Sequence, residues 1–254
     1  MKKNNIKILS CGYCTQYEKI ILPSGKWEKI KFPANAFVIP LKEGFLLFDT
    51  GYPSDFEKCK NNILVKLYKK LLPTYTSKES SCLTQLKNKN INNIKYVFIS
   101  HFHPDHIGGL KDFTNTKFIC SKNGYKNLKG IQKVFANLFL PEDFETNLIF
   151  IEDFEKSTIF PEFTSYKIEN NIWAIHLPGH TEHQYGLYYK NDNVLIVADA
   201  IWTNETLKKE EFPCYLAMNI MENKREYKET IYKLKKIFDR EKINILYSHQ
   251  EDIS

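Results

Sequence analysis

Three of the chain's seven histidines fall within six residues, in His101-Phe102-His103-Pro104-Asp105-His106. The run follows directly on Tyr96-Val97-Phe98-Ile99-Ser100 and leads into Ile107-Gly108-Gly109. A short, β-rich apolar stretch bounded by turn signals predicts a buried strand over 96–100. Imidazole is the commonest side-chain metal ligand, and carboxylate is close behind it for zinc or iron. Three imidazoles and one carboxylate in so short a loop can aim nitrogen and oxygen at one small volume. A loop leaving the carboxyl end of a buried strand is also where α/β sheets place their sites. Such a density of ligand-type residues argues against an ordinary polar loop.

The rest of the chain reads as strands alternating with helices, without repeat or linker, which predicts an α/β layered domain over 1–254. Strands are expected at Ala36–Pro40, Phe45–Asp49, Lys117–Cys120, Trp173–Leu177, Tyr185–Tyr189, Val194–Ala198 and Ile243–Ser248. The turn Leu41-Lys42-Glu43-Gly44 joins the first two. A helix is expected over Phe56–Leu72, with Phe56, Cys59, Ile63, Leu67 and Leu71 on the core face and Pro73 as its stop. A second is expected over Glu222–Glu241, with Tyr227, Ile231, Leu234 and Phe238 inward. The apolar segment Gly130–Thr146 reads equally well as a cap over a pocket or as core.

Composition removes several function classes. No apolar run approaches the ~18 residues of a membrane span. The net charge is +6, yet only Arg225 and Arg240 are arginine among 36 basic residues, and the lysines are interleaved with acids. Arginine is the usual reader of phosphates and guanine edges, so no nucleic-acid partner is expected. The N-terminal residues lack the apolar stretch of an export signal, and six cysteines in a chain this long make no disulfide framework, so a cytoplasmic location is expected. Cys11 and Cys14 read as free thiols near a strand end, because no further ligands for a zinc site stand nearby.

Three further strand ends carry ligand-type residues: Pro178-Gly179-His180, Ala198-Asp199-Ala200 and Ser248-His249-Gln250. Together with the dense motif, in this order, they resemble the metallo-β-lactamase superfamily of binuclear metallohydrolases, over nearly the whole chain. The resemblance implies a four-layer αββα sandwich of two mixed sheets with the site at one edge. It implies His101, His103 and His180 as ligands of one metal ion, Asp105, His106 and His249 as ligands of a second, and Asp199 as the carboxylate shared by both. Asp49 matches a buried Asp that supports the ligand loop by hydrogen bonding. Asp49-Thr50-Gly51 also has the form of an aspartic-protease signature, but that chemistry pairs two carboxylates and the chain has one copy in an α/β setting. His176 and His183 read as structural.

Two divalent ions, zinc first with iron or manganese as alternatives, would share a hydroxide at neutral pH, with Asp105 orienting it or accepting its proton. The implied chemistry is hydrolysis of a small-molecule lactone, ester or thioester. A phosphodiesterase of the same fold, a non-hydrolytic metal binder and a di-iron redox protein are the alternatives. The surroundings look most like the N-acyl-homoserine lactonase-like group. There is one departure. Those lactonases place a Tyr three residues after the shared Asp, where its hydroxyl aids the substrate carbonyl; here that position is Trp202, whose indole N–H can donate but cannot act as a phenol. A homodimer is the assembly the resemblance leaves open.

Overall fold

The computed structural model describes residues 5–59 and 62–251. The strands form two mixed sheets, and the chain divides into two units, one holding Lys31–Phe150 and the other Gln16–Ile30 with Ile151–Gln250. The first sheet comprises β1 (Lys7–Tyr17), β2 (Lys29–Pro40), β3 (Phe45–Phe48), β4 (Thr74–Tyr75), β5 (Ile94–Phe98), β6 (Lys117–Cys120) and β7 (Leu148–Phe150), in the order β4-β1-β2-β3-β5-β6-β7. β2 and β3 form a hairpin closed by the Leu41 N–H donating to the Gly44 carbonyl at 3.0 Å. β3, β5, β6 and β7 run parallel. β3 and the end of β5 are buried, as continuous apolar runs in a parallel sheet require. Phe48 and Phe98 are register partners and stack at 5.4 Å. That register sets Asp49, which follows β3, beside the loop that follows β5, and the Asp49 N–H donates to the Phe98 carbonyl at 2.8 Å.

The second sheet comprises β8 (Glu155–Ser157), β9 (Ser165–Glu169), β10 (Ile172–His176), β11 (Tyr185–Tyr189), β12 (Val194–Ile196) and β13 (Asn244–Leu246), in the order β13-β12-β11-β10-β9-β8. Its pairs are antiparallel except β12 with β13, whose parallel register sets Ile196 opposite Leu246. The two chain segments that carry Asp199 and His249 therefore leave the sheet side by side. The helix Lys224–Glu241 starts where the Asn223 side chain accepts from the backbone N–H groups of Arg225 and Glu226, both at 3.1 Å, an N-cap. It buries Tyr227, Thr230, Ile231, Leu234 and Ile237.

The fold class is as expected, α/β with two mixed sheets, and every expected strand is present within a few residues. β1, β4, β7, β8 and β9 were not expected. In β1 the two-residue alternation is broken by Gly12, which sits at φ +83°. Cys11 lies in the middle of this strand and Cys14 three residues from its end; both are buried and neither is in a disulfide.

The expected helix Phe56–Leu72 is two pieces. A single 3₁₀ turn covers Phe56–Cys59, and an α-helix covers Ile63–Leu71; residues 60–61 lie outside the described set. Asn62 adopts an extended conformation and caps the new helix through Leu64 N–H. The restart changes which face points inward. Val65 is buried and Tyr68 meets Phe56 and Phe135, whereas Ile63, Leu67 and Leu71 are 74%, 52% and 67% exposed. In the segment Gly130–Thr146, a helix covers Gly130–Phe139. Phe135 and Phe139 stack on each other and pack at a tilt on Phe56, and Phe144 packs on Phe118, so these aromatic residues of the segment are core of the first unit. No helix among the described residues is long and apolar enough to cross a membrane.

Candidate metal centre

Each unit carries a cluster of the residues singled out above. In the first unit, His101 begins the loop after β5, and His103 precedes the short helix Pro104–Ile107. Pro104 suits the first turn, where its missing N–H costs nothing. The loop is bound to the Asp49-Thr50-Gly51 turn. The Thr50 N–H and hydroxyl both donate to the His106 carbonyl, at 2.8 and 2.9 Å, and the Gly108 N–H donates to the Gly51 carbonyl at 2.9 Å. A Cβ at position 108 would collide with Pro53, so only glycine allows this approach.

Asp49 lies at the centre, fully buried and at φ +58°. Its carboxylate accepts from the Ser100 N–H at 2.8 Å, the Ser100 hydroxyl at 2.7 Å and the His106 Nδ1–H at 2.7 Å. Burial pushes this carboxyl above its ordinary range, and the His106 imidazole and the Ser100 donors pull it only part of the way back. The bonds also set tautomers. With Nδ1 protonated toward Asp49, His106 turns its Nε2 lone pair outward, 3.7 Å from Asp105 Oδ2. Ser100 Oγ, having donated to Asp49, accepts from His101 Nδ1 at 3.0 Å, which places the His101 lone pair on Nε2. His101 Nε2 faces His103 Nδ1 at 3.0 Å, while His103 Nε2 lies 3.4 Å from the Gln132 amide.

In the second unit, Asp199 sits in a 3₁₀ turn, Ala198–Ala200, that leaves β12 through a left-handed residue, Ala198 at φ +49°. A single oxygen, Oδ2, lies 3.3 Å from His180 Nε2 and 3.2 Å from His249 Nε2. His180 Nδ1 points at the thioether of Met221, 3.4 Å away. The Trp202 ring meets the His180 ring edge-on at 5.8 Å. The indole is 6% exposed, and its Nε1–H has no hydrogen-bond partner among the described residues. His176 ends β10, and its Nε2–H donates to the Glu182 carbonyl at 3.0 Å, a satisfied structural histidine. Burial holds that imidazole below its ordinary range. His183 is half-buried.

The donor chemistry fits metal ions. The sets contain only imidazole nitrogens and carboxylate oxygens, the ligands that zinc and similar ions take. Two donors on one tetrahedral ion at about 2.0–2.1 Å stand roughly 3.3 Å apart. The pairs His101–His103, His180–Asp199 and His249–Asp199 have that spacing, at 3.0, 3.3 and 3.2 Å. A family model described as the metallo-beta-lactamase superfamily matches residues 30–237, a span that holds all of these residues except His249.

The chain belongs to this superfamily. An N-acyl homoserine lactonase from Bacillus sp is 25% identical over 234 residues, covering 87% of this chain and 83% of the relative. A solved N-acyl homoserine lactone hydrolase, with N-hexanoyl-L-homoserine bound at its catalytic metal centre, superposes with a TM-score of 0.73 at 22% identity, over 98% of this chain and 94% of that one. A dizinc quorum-quenching lactonase in complex with the same product gives 0.69 at 18% identity, over 98% and 89%.

Ser100, Gln132, Met221 and Tyr227 were not singled out in the sequence. Ser100 had a usable signal, since it stands directly before the first motif histidine. The other three lie far along the chain from the ligands they adjoin, and no local pattern marks them.

Proposed function

We propose that the chain is a metal-dependent hydrolase that opens a lactone, ester or thioester of a small molecule, using two divalent ions, zinc first. The observation that carries this reading is the spacing of the imidazole nitrogens. Each of His101, His180 and His249 directs Nε2 at another donor at 3.0–3.3 Å, the separation of two ligands on one ion. In this reading His101, His103 and His180 hold one ion, Asp105, His106 and His249 hold the other, and Asp199 serves both. The superfamily membership and the lactonase relatives support it.

When bound, the ions supply Lewis acidity and lower the pKa of water to near neutrality. The chain's own residues do the rest. Asp105 orients the attacking water and accepts its proton. The Trp202 N–H, buried beside His180 and without a partner among the described residues, donates to a substrate oxygen. The same reading takes 1–254 as one working domain, as a monomer or homodimer in the cytoplasm, with a small-molecule substrate and no nucleic-acid partner.

Elemental analysis of protein prepared without chelator should find about two ions per chain. A panel of lactones, thioesters and phosphodiesters should give at least one turnover that rises with pH as the bound water ionises and that a chelator abolishes. Two ions with an inert panel would overturn the hydrolase reading and favour a binding or redox role. One ion or none after reconstitution would overturn the binuclear one.

Trp202 gives a narrower prediction. If homoserine lactones are the substrates, Trp202→Tyr should raise their turnover about tenfold, the scale of one modest hydrogen bond in the transition state. Unchanged turnover would make Trp202 a pocket wall for another substrate. Trp202→Ala should then raise KM for that substrate.

A further inference from the structure

The helix Lys224–Glu241 and the residues before it are fastened to the His180 loop by hydrogen bonds. The Glu222 N–H donates to the His180 carbonyl at 3.1 Å, the Asn223 N–H to the Gly179 carbonyl at 3.0 Å, and the Thr230 hydroxyl to the Pro178 carbonyl at 2.7 Å. Gly179 lies at φ +129°, and a Cβ there would collide with the backbone and Cβ of Tyr227. The same helix packs against the 3₁₀ turn that carries Asp199. Tyr227 thus sits where the helix meets both ligand segments.

Its side chain is fully buried, and its hydroxyl has no hydrogen-bond partner among the described residues. A buried hydroxyl left without a partner carries the desolvation cost of a lost hydrogen bond, so such a group calls for an explanation. Burial first, and the Asp199 carboxylate second, push the phenol above its ordinary range. A phenol holds its proton at neutral pH whatever its surroundings, so the oxygen is a donor.

We propose that Tyr227 is a positioning residue for Asp199, its hydroxyl donating to the carboxylate directly or through one buried water when the centre is loaded. This rests on the binuclear reading above and adds to it the group that holds the shared ligand in place. The Trp202 position cannot supply a phenol; Tyr227 supplies one from a different element, the helix packed against the turn that carries Asp199.

The test measures Zn(II) affinity by competition with a chromophoric chelator, for the wild type and for Tyr227→Phe, which removes one oxygen and keeps the ring. Partners that orient metal ligands typically contribute about 10–100-fold in affinity. Tyr227→Phe should weaken binding by at least about tenfold, while the thermal midpoint of the metal-free protein holds or rises, since an unpaired buried hydroxyl has been removed. In an Asp199→Asn background the same change should add little, because the tyrosine acts through that carboxylate. Wild-type affinity in Tyr227→Phe would overturn the proposal, and so would an equal loss in the Asp199→Asn background. A wild type that binds fewer than two ions would instead overturn the binuclear reading on which it rests.

Discussion

Asp199→Ala is expected to strip metal from the protein and to lower hydrolysis by more than about a hundredfold. Changing a group that merely orients a ligand costs about 10–100-fold, and Asp199 is proposed as a ligand itself, shared by both ions. Its Oδ2 is the atom on which His180 Nε2 and His249 Nε2 converge, at 3.3 and 3.2 Å. Loss of the carboxylate leaves both imidazoles without their common anion, so both ions should weaken together. His101→Ala should behave differently, emptying one site and sparing the other.

Thermal shift separates the metal effect from a folding defect. Asp199 is buried with His180 Nε2 and His249 Nε2 on its Oδ2, so its removal also breaks a buried pair. The metal-free midpoint of Asp199→Ala should therefore fall below the wild type, and the gain on adding metal, not the midpoint itself, reports the metal effect. Added Zn(II) stabilises a folded protein in proportion to RT ln(1 + [L]/Kd), so the wild type should gain in midpoint while the variant gains little. A variant that keeps two ions at wild-type affinity would remove Asp199 from the centre.

What could be read in the sequence was local. The ligand run is contiguous with its strand, and the Pro-Gly turn before His180 and the strand ends before Asp199 and His249 each announce themselves within five residues. Relationships set by packing could not be read. The restart of the helix at Asn62 reassigns a five-residue apolar stripe, because periodicity reports a face but not which face is inward. Tyr227 is one more apolar position on a helix until the approach to Gly179 gives it a neighbour. The relay through Ser100 depends on one hydroxyl that donates to Asp49 and accepts from His101, and no spacing rule encodes that direction.

That relay yields the second large effect, at Asp49. Asp49→Ala and Asp49→Asn should fail in different ways. Alanine leaves the buried Ser100 N–H and hydroxyl and the His106 Nδ1–H without an acceptor, and breaking a buried pair by removing one partner costs about 3–5 kcal/mol. It also puts alanine at φ +58°, a conformation that strains most residues by roughly 1–2 kcal/mol. Against a total stability of about 5–15 kcal/mol, this variant should unfold at markedly lower denaturant. Asparagine tolerates the left-handed conformation and keeps an oxygen for the Ser100 N–H. Its amide nitrogen, however, now stands where Oδ2 accepted from His106. A donor facing a donor is relieved only if His106 gives up the Nδ1 proton and takes one on Nε2. The Nε2 lone pair, which the reading above assigns to a metal ion, is then gone. Asp49→Asn should accordingly fold with a near-normal midpoint when metal-free, yet bind the second ion about 10–100-fold more weakly. The tautomer can be followed directly by the ¹⁵N shifts of the His106 ring. Nδ1 still protonated in Asp49→Asn, or a second ion held as tightly as in the wild type, would show that Asp49 holds the loop without choosing the face His106 presents.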